Sequence, residues 1–245
     1  MNALKQFLAS TGILSVYHFL LAWLGALLYG FPSQKLIVIG VTGTKGKSST
    51  TEFLSAIFEE AGQKTSVLNS IRIKIGNSTE DNIMRMSMPG RFYIQRFLAE
   101  SVREKCAVAI LEMTSEGARQ HRHRGVALDA LVFTNLAPEH IESHGSYQAY
   151  ADAKFSLGQA LAHSHKRPRT MVANGEDPQS VRYLELPVEE KIAFRLADHV
   201  PFGSDDRGGY FTLEHTRVDV HQPGEFSLRN AIAAAQTARA FGVTP

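Results

Sequence analysis

One cysteine, Cys106, stands among 245 residues. That excludes a disulfide framework and a cysteine-based zinc site, and it fits a reducing, cytoplasmic compartment. A charge excess is missing too: 26 basic residues face 24 acidic ones. The balance argues against a dedicated nucleic-acid binder, which would carry a basic excess on one face. No internal repeat and no low-complexity segment is present. What remains is a chain long enough for one large or two modest domains, with ample material for a core.

Long apolar runs are absent except at the start. From Gly12 to Phe31 the chain is almost wholly apolar, with Lys5 before it and Lys35 after it. Twenty residues could just span a bilayer, and a basic start with an apolar middle also suits a signal peptide. Three features favour a helix packed on protein instead. His18 lies in the middle of the run. On a helix, His18, Ala22, Gly25, Ala26 and Tyr29 form one small or polar stripe, suited to close packing. A glycine-rich motif follows only a few residues past Pro32, leaving almost no linker. Peripheral membrane contact through residues 12–31 is the alternative.

That motif runs Leu36-Ile37-Val38-Ile39-Gly40-Val41-Thr42-Gly43-Thr44-Lys45-Gly46-Lys47-Ser48-Ser49-Thr50. A β-branched strand breaks into a glycine turn, and the turn opens a helix from Ser48 to about Ala61. Glycines let backbone N–H groups approach phosphate oxygens, and the helix N-terminus adds partial positive charge. Lys47 is placed to reach terminal phosphates and Ser48 to ligate Mg²⁺. The spacing departs from the usual G-x-x-x-x-G-K-[ST], because Val41 occupies the first glycine position and the glycines fall at 40, 43 and 46.

Further along, Thr65–Asn69 reads as a strand, and Ile71–Ile75 alternates apolar and basic residues as an exposed strand would. Asn77–Pro89 is polar and turn-rich. Phe92–Lys105 is a helix with Ile94, Phe97, Leu98 and Val102 on one face. Ala107–Leu111 is a buried strand ending at Glu112, and Leu128–Phe133 is another ending at Thr134-Asn135. Tyr147–Ala162 is helical, Thr170–Ala173 is a strand, Leu186–Gln222 mixes short strands and loops, and Glu225–Phe241 is an alanine-rich helix. Alternating strands and helices imply an α/β fold, a mostly parallel sheet flanked by helices. Ligands bind at the carboxyl ends of such strands, where the glycine loop, Glu112 and Asn135 all fall.

Two more clusters carry chemistry. Glu112-Met113-Thr114-Ser115-Glu116-Gly117 puts a carboxylate at a strand end near the phosphate loop, a natural Mg²⁺ ligand or else a solvated strand-end acid. Thr134-Asn135-Leu136-Ala137-Pro138-Glu139-His140-Ile141-Glu142-Ser143-His144-Gly145 is dense in acids and histidines, and Lys154 follows fourteen residues after His140. The cluster suits a metal or acid–base site, or a plain surface loop. No third soft ligand is spaced for zinc.

Taken together, GVTGTKGKSS, LEMTSEG, TNLAPEHIESHG with AYADAK, and PGEFSLRNAIAAA resemble the Mur ligases in order and spacing, across about residues 26 to 242. These are the ATP-dependent amide-forming enzymes of peptidoglycan precursor synthesis. Within them the pattern resembles the MurE type, which adds the third residue to UDP-MurNAc-L-alanyl-D-glutamate. Tyr29-Gly30-Phe31-Pro32-Ser33-Gln34-Lys35-Leu36 and Gln120-His121-Arg122 share that likeness. The resemblance implies a reduced N-terminal segment over 1–34, an ATP-binding central domain over 35–245, and the absence of the C-terminal domain that binds the incoming amino acid.

The resemblance also implies roles. Gly43, Thr44, Lys45, Gly46, Lys47, Ser48 and Ser49 would hold ATP, and Asn230 would contact adenine. Ser48 and Glu112 would hold one Mg²⁺ and His140 a second. Lys154 would be carbamylated, turning a cation into a carboxylate-like metal ligand. Lys47, His140 and Lys154 would be the catalytic set. Thr114, Gln120 and Arg122 would hold the muramoyl-peptide acceptor, and Asn174-Gly175-Glu176-Asp177 resembles the family's N-x-D-D turn. Departures are Glu139 and Glu142 for aspartates, Glu116 for histidine, Ser227 for the first asparagine of F-N-x-x-N, and Ser87-Met88-Pro89-Gly90-Arg91 for a Thr-Thr-Pro-like segment. Two alternatives stand beside a MurE-like ligase. One is a related ligase on another carboxylate acceptor, of folylpolyglutamate or poly-γ-glutamate type. The other is a non-catalytic ATP-binding subunit that needs a partner chain.

Overall fold

The structure, a computed structural model, describes residues 13–139 and 141–244. Helix α1 spans Ile13–Leu28. Strand β1, Ile37–Thr42, runs into the glycine loop and then helix α2, Lys47–Glu60. Strands β2 (Thr65–Leu68), β3 (Arg72–Ile75) and β4 (Ser78–Asp81) follow, then helix α3 (Arg91–Arg103), β5 (Val108–Glu112) and the short helix α4 (Ser115–Arg119). After these come β6 (Ala130–Phe133), a single turn α5 (Ile141–His144), α6 (Tyr147–Ala162), β7 (Thr170–Asn174), α7 (Ser180–Leu184) and β8 (Glu190–Phe194). Strands β9 (Gly203–Ser204), β10 (Gly209–Leu213) and β11 (Thr216–Val220) precede the last helix, α8 (Glu225–Ala240).

The main sheet is ordered β4-β3-β2-β5-β1-β6-β7-β8. The six strands from β2 to β8 in that order are parallel, and β3 and β4 add an antiparallel edge. Strands covered on both faces read as continuous apolar runs, as β1 and β5 do. Successive side chains point to opposite faces. Val38, Ala109 and Leu111 pack with Phe97 and Leu98 of α3 and Leu157 and Leu161 of α6. Ile39, Val41, Val108 and Ile110 pack with Leu54 and Phe58 of α2 and Leu228 and Ile232 of α8. Gly40 belongs to the first of these faces, where a Cβ would come within 2.5 Å of the Met113 sulfur. The small antiparallel sheet β11-β10-β9 lays Phe211, Leu213 and Val220 against α8.

Two local readings need correction. Strand β3 is not exposed: Lys74 is buried, donating to Ser55 Oγ at 3.2 Å and pairing with Glu59, both on α2. The alternation was real, but the face bearing the lysine lies under a helix whose carboxylate and hydroxyl receive the ammonium. The polar stretch 77–89 contains β4, an edge strand with all four residues exposed, which is why it lacks a hydrophobic pattern. The proposed small stripe of α1 does pack inward. Ala22 and Ala26 are fully buried, and a Cβ on Gly25 would sit 3.4 Å from Phe92 of α3. Tyr29 is the exception, being exposed. No helix among the described residues is long and apolar enough to cross a membrane.

Candidate active site

The glycine loop leaves β1 at the centre of the sheet, between β5 and β6. Two glycines are required by geometry. Gly43 has φ +152°, and a Cβ there would lie 1.9 Å from Thr134 Oγ1. Gly46 caps α2 with φ +81°, in the left-handed region, and a Cβ there would lie 2.2 Å from Asn230 Oδ1. Both are places where only a hydrogen fits. No side chain caps the start of α2. The backbone N–H groups of Lys47, Ser48 and Ser49 open the helix before any intrahelical acceptor is available, and the first turn carries the positive end of the helix dipole.

The loop is braced from β6. Thr44 N–H donates to the Asn135 carbonyl at 2.9 Å, and Lys45 N–H donates to Asn135 Oδ1 at 2.9 Å. Thr134 Oγ1 and Asn135 Nδ2 donate to the Lys45 carbonyl at 2.7 and 3.0 Å. Ala137 N–H donates to Thr44 Oγ1 at 2.9 Å, and that hydroxyl also pairs with the Tyr150 hydroxyl at 3.0 Å. The exposed Lys45 ammonium lies 3.4 Å from Glu139.

Two lysines converge on this loop. Lys47 Nζ donates to the Thr44 carbonyl at 2.8 Å, and Lys154 Nζ, reaching from α6, donates to the Gly43 carbonyl at 2.7 Å. Burial lowers both pKa values. For Lys47 the pull is opposed by Glu112 and Glu139. Lys154 is brought down to about 7, first by burial and then by repulsion from Lys47, with Glu112 and Glu139 opposing. Its ammonium also lies 4.9 Å from the Tyr150 ring centroid.

Opposite the lysines, Ser48 Oγ donates to Glu112 Oε2 at 2.7 Å, and Ser70 N–H donates to the same oxygen at 3.0 Å. Glu112 is buried at the end of β5. Hydroxyl and carboxylate oxygens side by side at a phosphate loop are the hard donors Mg²⁺ takes, so these residues fit that ion. Among the described residues no group of three His, Cys, Asp or Glu side chains forms a metal site. His140 lies outside the described residues.

Cavities flank the loop on both sides. One, of about 120 Å³, is lined by Lys45, Gly46, Asn135, Phe194, Phe226 and Asn230. The other, of about 430 Å³, is lined by Lys47, Lys154, Thr114, Glu116, Arg122 and Tyr150, among others. Thr114 caps α4, its hydroxyl accepting from Gly117 N–H at 3.1 Å. Gln120 does not line the cavity. Its Oε1 accepts from Arg122 Nη2 at 2.7 Å and its Nε2 donates to Glu116 Oε1 at 2.6 Å, so it holds the arginine in place. Arg122 also donates to the Met88 carbonyl. Residues not anticipated from sequence are Tyr150, Ser70, Phe194 and Phe226. Tyr150 had a signal, since it sits one turn before Lys154 on the same helix face. The other three reach the site only through tertiary packing.

An α/β domain with a glycine loop at the centre of a parallel sheet is thus defined by both fold and site. The Mur ligase middle domain matches residues 41–238, and the chain belongs to that family. It is 29% identical over 224 residues to the UDP-N-acetylmuramoyl-L-alanyl-D-glutamate–2,6-diaminopimelate ligase of Halalkalibacterium halodurans, covering 88% of this chain and 46% of that protein. It is 32% identical over 244 residues to the UDP-N-acetylmuramyl-tripeptide synthetase of a Roseiflexus species, covering 91% and 48%. The chain spans about half the length of these curated relatives. Its fold is shared with a solved UDP-N-acetylmuramoyl-L-alanyl-D-glutamate–2,6-diaminopimelate ligase (TM-score 0.71, 22% identity, 85% of this chain and 44% of that one). It is shared also with L. casei FPGS (TM-score 0.69, 17% identity, 90% and 61%).

Proposed function

We propose that this chain is the ATP-binding core of an acid–amino-acid ligase that extends a UDP-MurNAc-peptide in peptidoglycan precursor synthesis. The observation that carries the reading is the glycine loop with the half-buried Lys47 and the buried Lys154 converging on it, standing between two cavities. The smaller cavity takes the adenine side of ATP, beside Asn230. The larger takes the acceptor. The reaction joins them: an acceptor carboxylate oxygen attacks the terminal phosphorus of ATP, ADP leaves, and an acyl phosphate forms. The amino group of the incoming amino acid then attacks the acyl carbon, loses a proton, and phosphate departs.

This chain's part is positioning and charge. The loop from Gly43 to Gly46 and the first N–H groups of α2, at Lys47, Ser48 and Ser49, hold phosphate oxygens. Lys47 neutralises the transferring group. Ser48 and Glu112 are the residues that would hold Mg²⁺, which when bound offsets phosphate charge; on the family likeness His140 would hold a second. Arg122 is a carboxylate clamp for the acceptor, Thr114 shapes the same wall, and Gln120 positions Arg122. Lys154 is a lysine poised for carbamylation. With its pKa near 7, a large share is neutral amine at physiological pH, and that amine adds to CO₂ with loss of a proton.

The test is ADP formation by the chain supplied with MgATP, UDP-MurNAc-L-alanyl-D-glutamate and a mixture of amino acids. Acceptor-dependent ADP release, lost in Lys47→Ala, supports the reading. Acceptor-independent release refutes the reading, and tight ATP binding without any release favours a non-catalytic nucleotide-binding subunit.

A further inference from the structure

Helix α1 presents half of its surface to solvent as a continuous apolar arc. Val16, Leu20, Trp23, Leu24, Leu27 and Leu28 are all exposed, Leu20 at 60% and Leu28 at 66%. At 100° per residue these positions share one side. Ala22, Gly25 and Ala26 form the opposite side and pack on α3 and on Gly125. A helix apolar all round is a buried helix, so the outer arc is a surface awaiting cover.

Three observations identify the cover. First, the arc offers little hydrogen bonding. Among residues 16–28 the polar side-chain groups are the His18 imidazole, turned to the protein with Nδ1 2.8 Å from Arg91 Nη2, and the single O–H of Tyr17 and N–H of Trp23. Protein interfaces carry polar rims and regular hydrogen bonds, whereas lipid asks for none. Second, aromatic side chains mark the helix along its length. Tyr17 and Phe19 lie near one end, Trp23 in the middle and Tyr29 just past the other, the residue types that settle at headgroup depth. Third, cations border it. Arg124 lies 6.0 Å from the Phe19 ring centroid, Arg91 Nη2 lies 2.8 Å from His18 Nδ1, and Arg96, paired with Glu100 at 2.9 Å, lies within electrostatic reach of Tyr29. The sixteen described residues make a rod of about 24 Å, a length suited to lying in the interface.

We propose that α1 docks this chain on an anionic lipid surface, its apolar arc in the acyl boundary and its basic border among the headgroups. Arg91 also donates to the Gln120 carbonyl at 3.0 Å, and Gln120 holds Arg122 at the larger cavity. The docked face is thus two side chains from that cavity.

The chain carries its own probe, since Trp23 is its one tryptophan. The experiment adds vesicles of phosphatidylcholine, with or without phosphatidylglycerol, to the full chain. Trp23 emission and flotation in a density gradient are then read. Expected are a blue shift and flotation with the anionic vesicles and much less of both with the neutral ones. Leu20→Glu with Leu27→Glu, at exposed positions, is expected to cut the bound fraction more than about tenfold with an unchanged thermal midpoint. Arg96→Gln and Arg124→Gln are expected to weaken binding roughly fivefold each. No shift and no flotation with anionic vesicles overturns the proposal. So does a homodimer that the double leucine variant dissolves without any vesicle binding, which would give the arc to a second copy. No step uses nucleotide, so the ligase reading can fail without touching this result.

Discussion

Lys154 sits where positive charge is costly, and its pKa near 7 follows from that burial and then from repulsion by Lys47. Two outcomes follow at this residue. Lys154→Met is expected to keep nucleotide binding and lose turnover by more than about 100-fold, with partial rescue by short carboxylic acids; undiminished turnover would remove Lys154 from the mechanism. In the uncarbamylated chain, the unfolded state keeps the extra proton between pH 7 and 10.5. Stability from this group therefore rises with pH across that window, and Lys154→Met should abolish that slope in denaturant melts. His123 gives the matching case at acid pH. It is buried with both ring nitrogens unpartnered, and burial, then Arg124 and His121, lower its pKa to about 3. The unfolded state binds its proton first, so stability falls as pH drops from 6.5 towards 3. His123→Leu should flatten that fall by on the order of a few kcal/mol; an unchanged acid limb would place the lability elsewhere.

At the scale of elements, the start of α2 is where backbone and ligand chemistry meet. Gly46→Ala forces a left-handed residue into the Asn230 amide. It should cost about 1–2 kcal/mol of stability and lower MgATP affinity more than Gly62→Ala does, a control with positive φ and no neighbour within 4 Å; equal losses would show that only backbone strain matters. The β3–α2 junction holds the chain's least expected pair. Glu59→Ala leaves the Lys74 ammonium buried without its carboxylate and should destabilise by about 1–3 kcal/mol. Lys74→Met with Glu59→Leu should be near neutral; urea midpoints for the two decide. These elements also show what a sequence discloses. Helix α6 was legible to the residue, because Ser146 caps it and its pattern is regular. Strand β3 was legible as a strand but not as covered, since alternation cannot say what lies over the polar face. Strand β4 and the β9–β11 meander were not delimited, because exposed edge strands and strands of two to five residues carry little hydrophobic pattern.

Over the whole molecule, the parallel sheet could be read in advance because its central strands are buried on both faces and alternate with helices. The placement of the candidate site was readable where one segment supplies it, as with the glycine loop, Glu112 and Asn135 at strand ends. It was not readable where distant segments meet: Phe194 and Phe226 line the smaller cavity from β8 and α8, and Gln120 proves to be a brace for Arg122. The proposed ligase core stands or falls on the loop between the two cavities holding MgATP through Lys47 and the start of α2. Calorimetric titration of ATP into the wild-type chain and Lys47→Ala, each with and without Mg²⁺, is the decisive measurement. Mg²⁺-dependent binding at one site is expected, weakened about 10- to 100-fold by Lys47→Ala, the loss for one charge-assisted contact. Equal affinity in the two proteins, or binding indifferent to Mg²⁺, would contradict it.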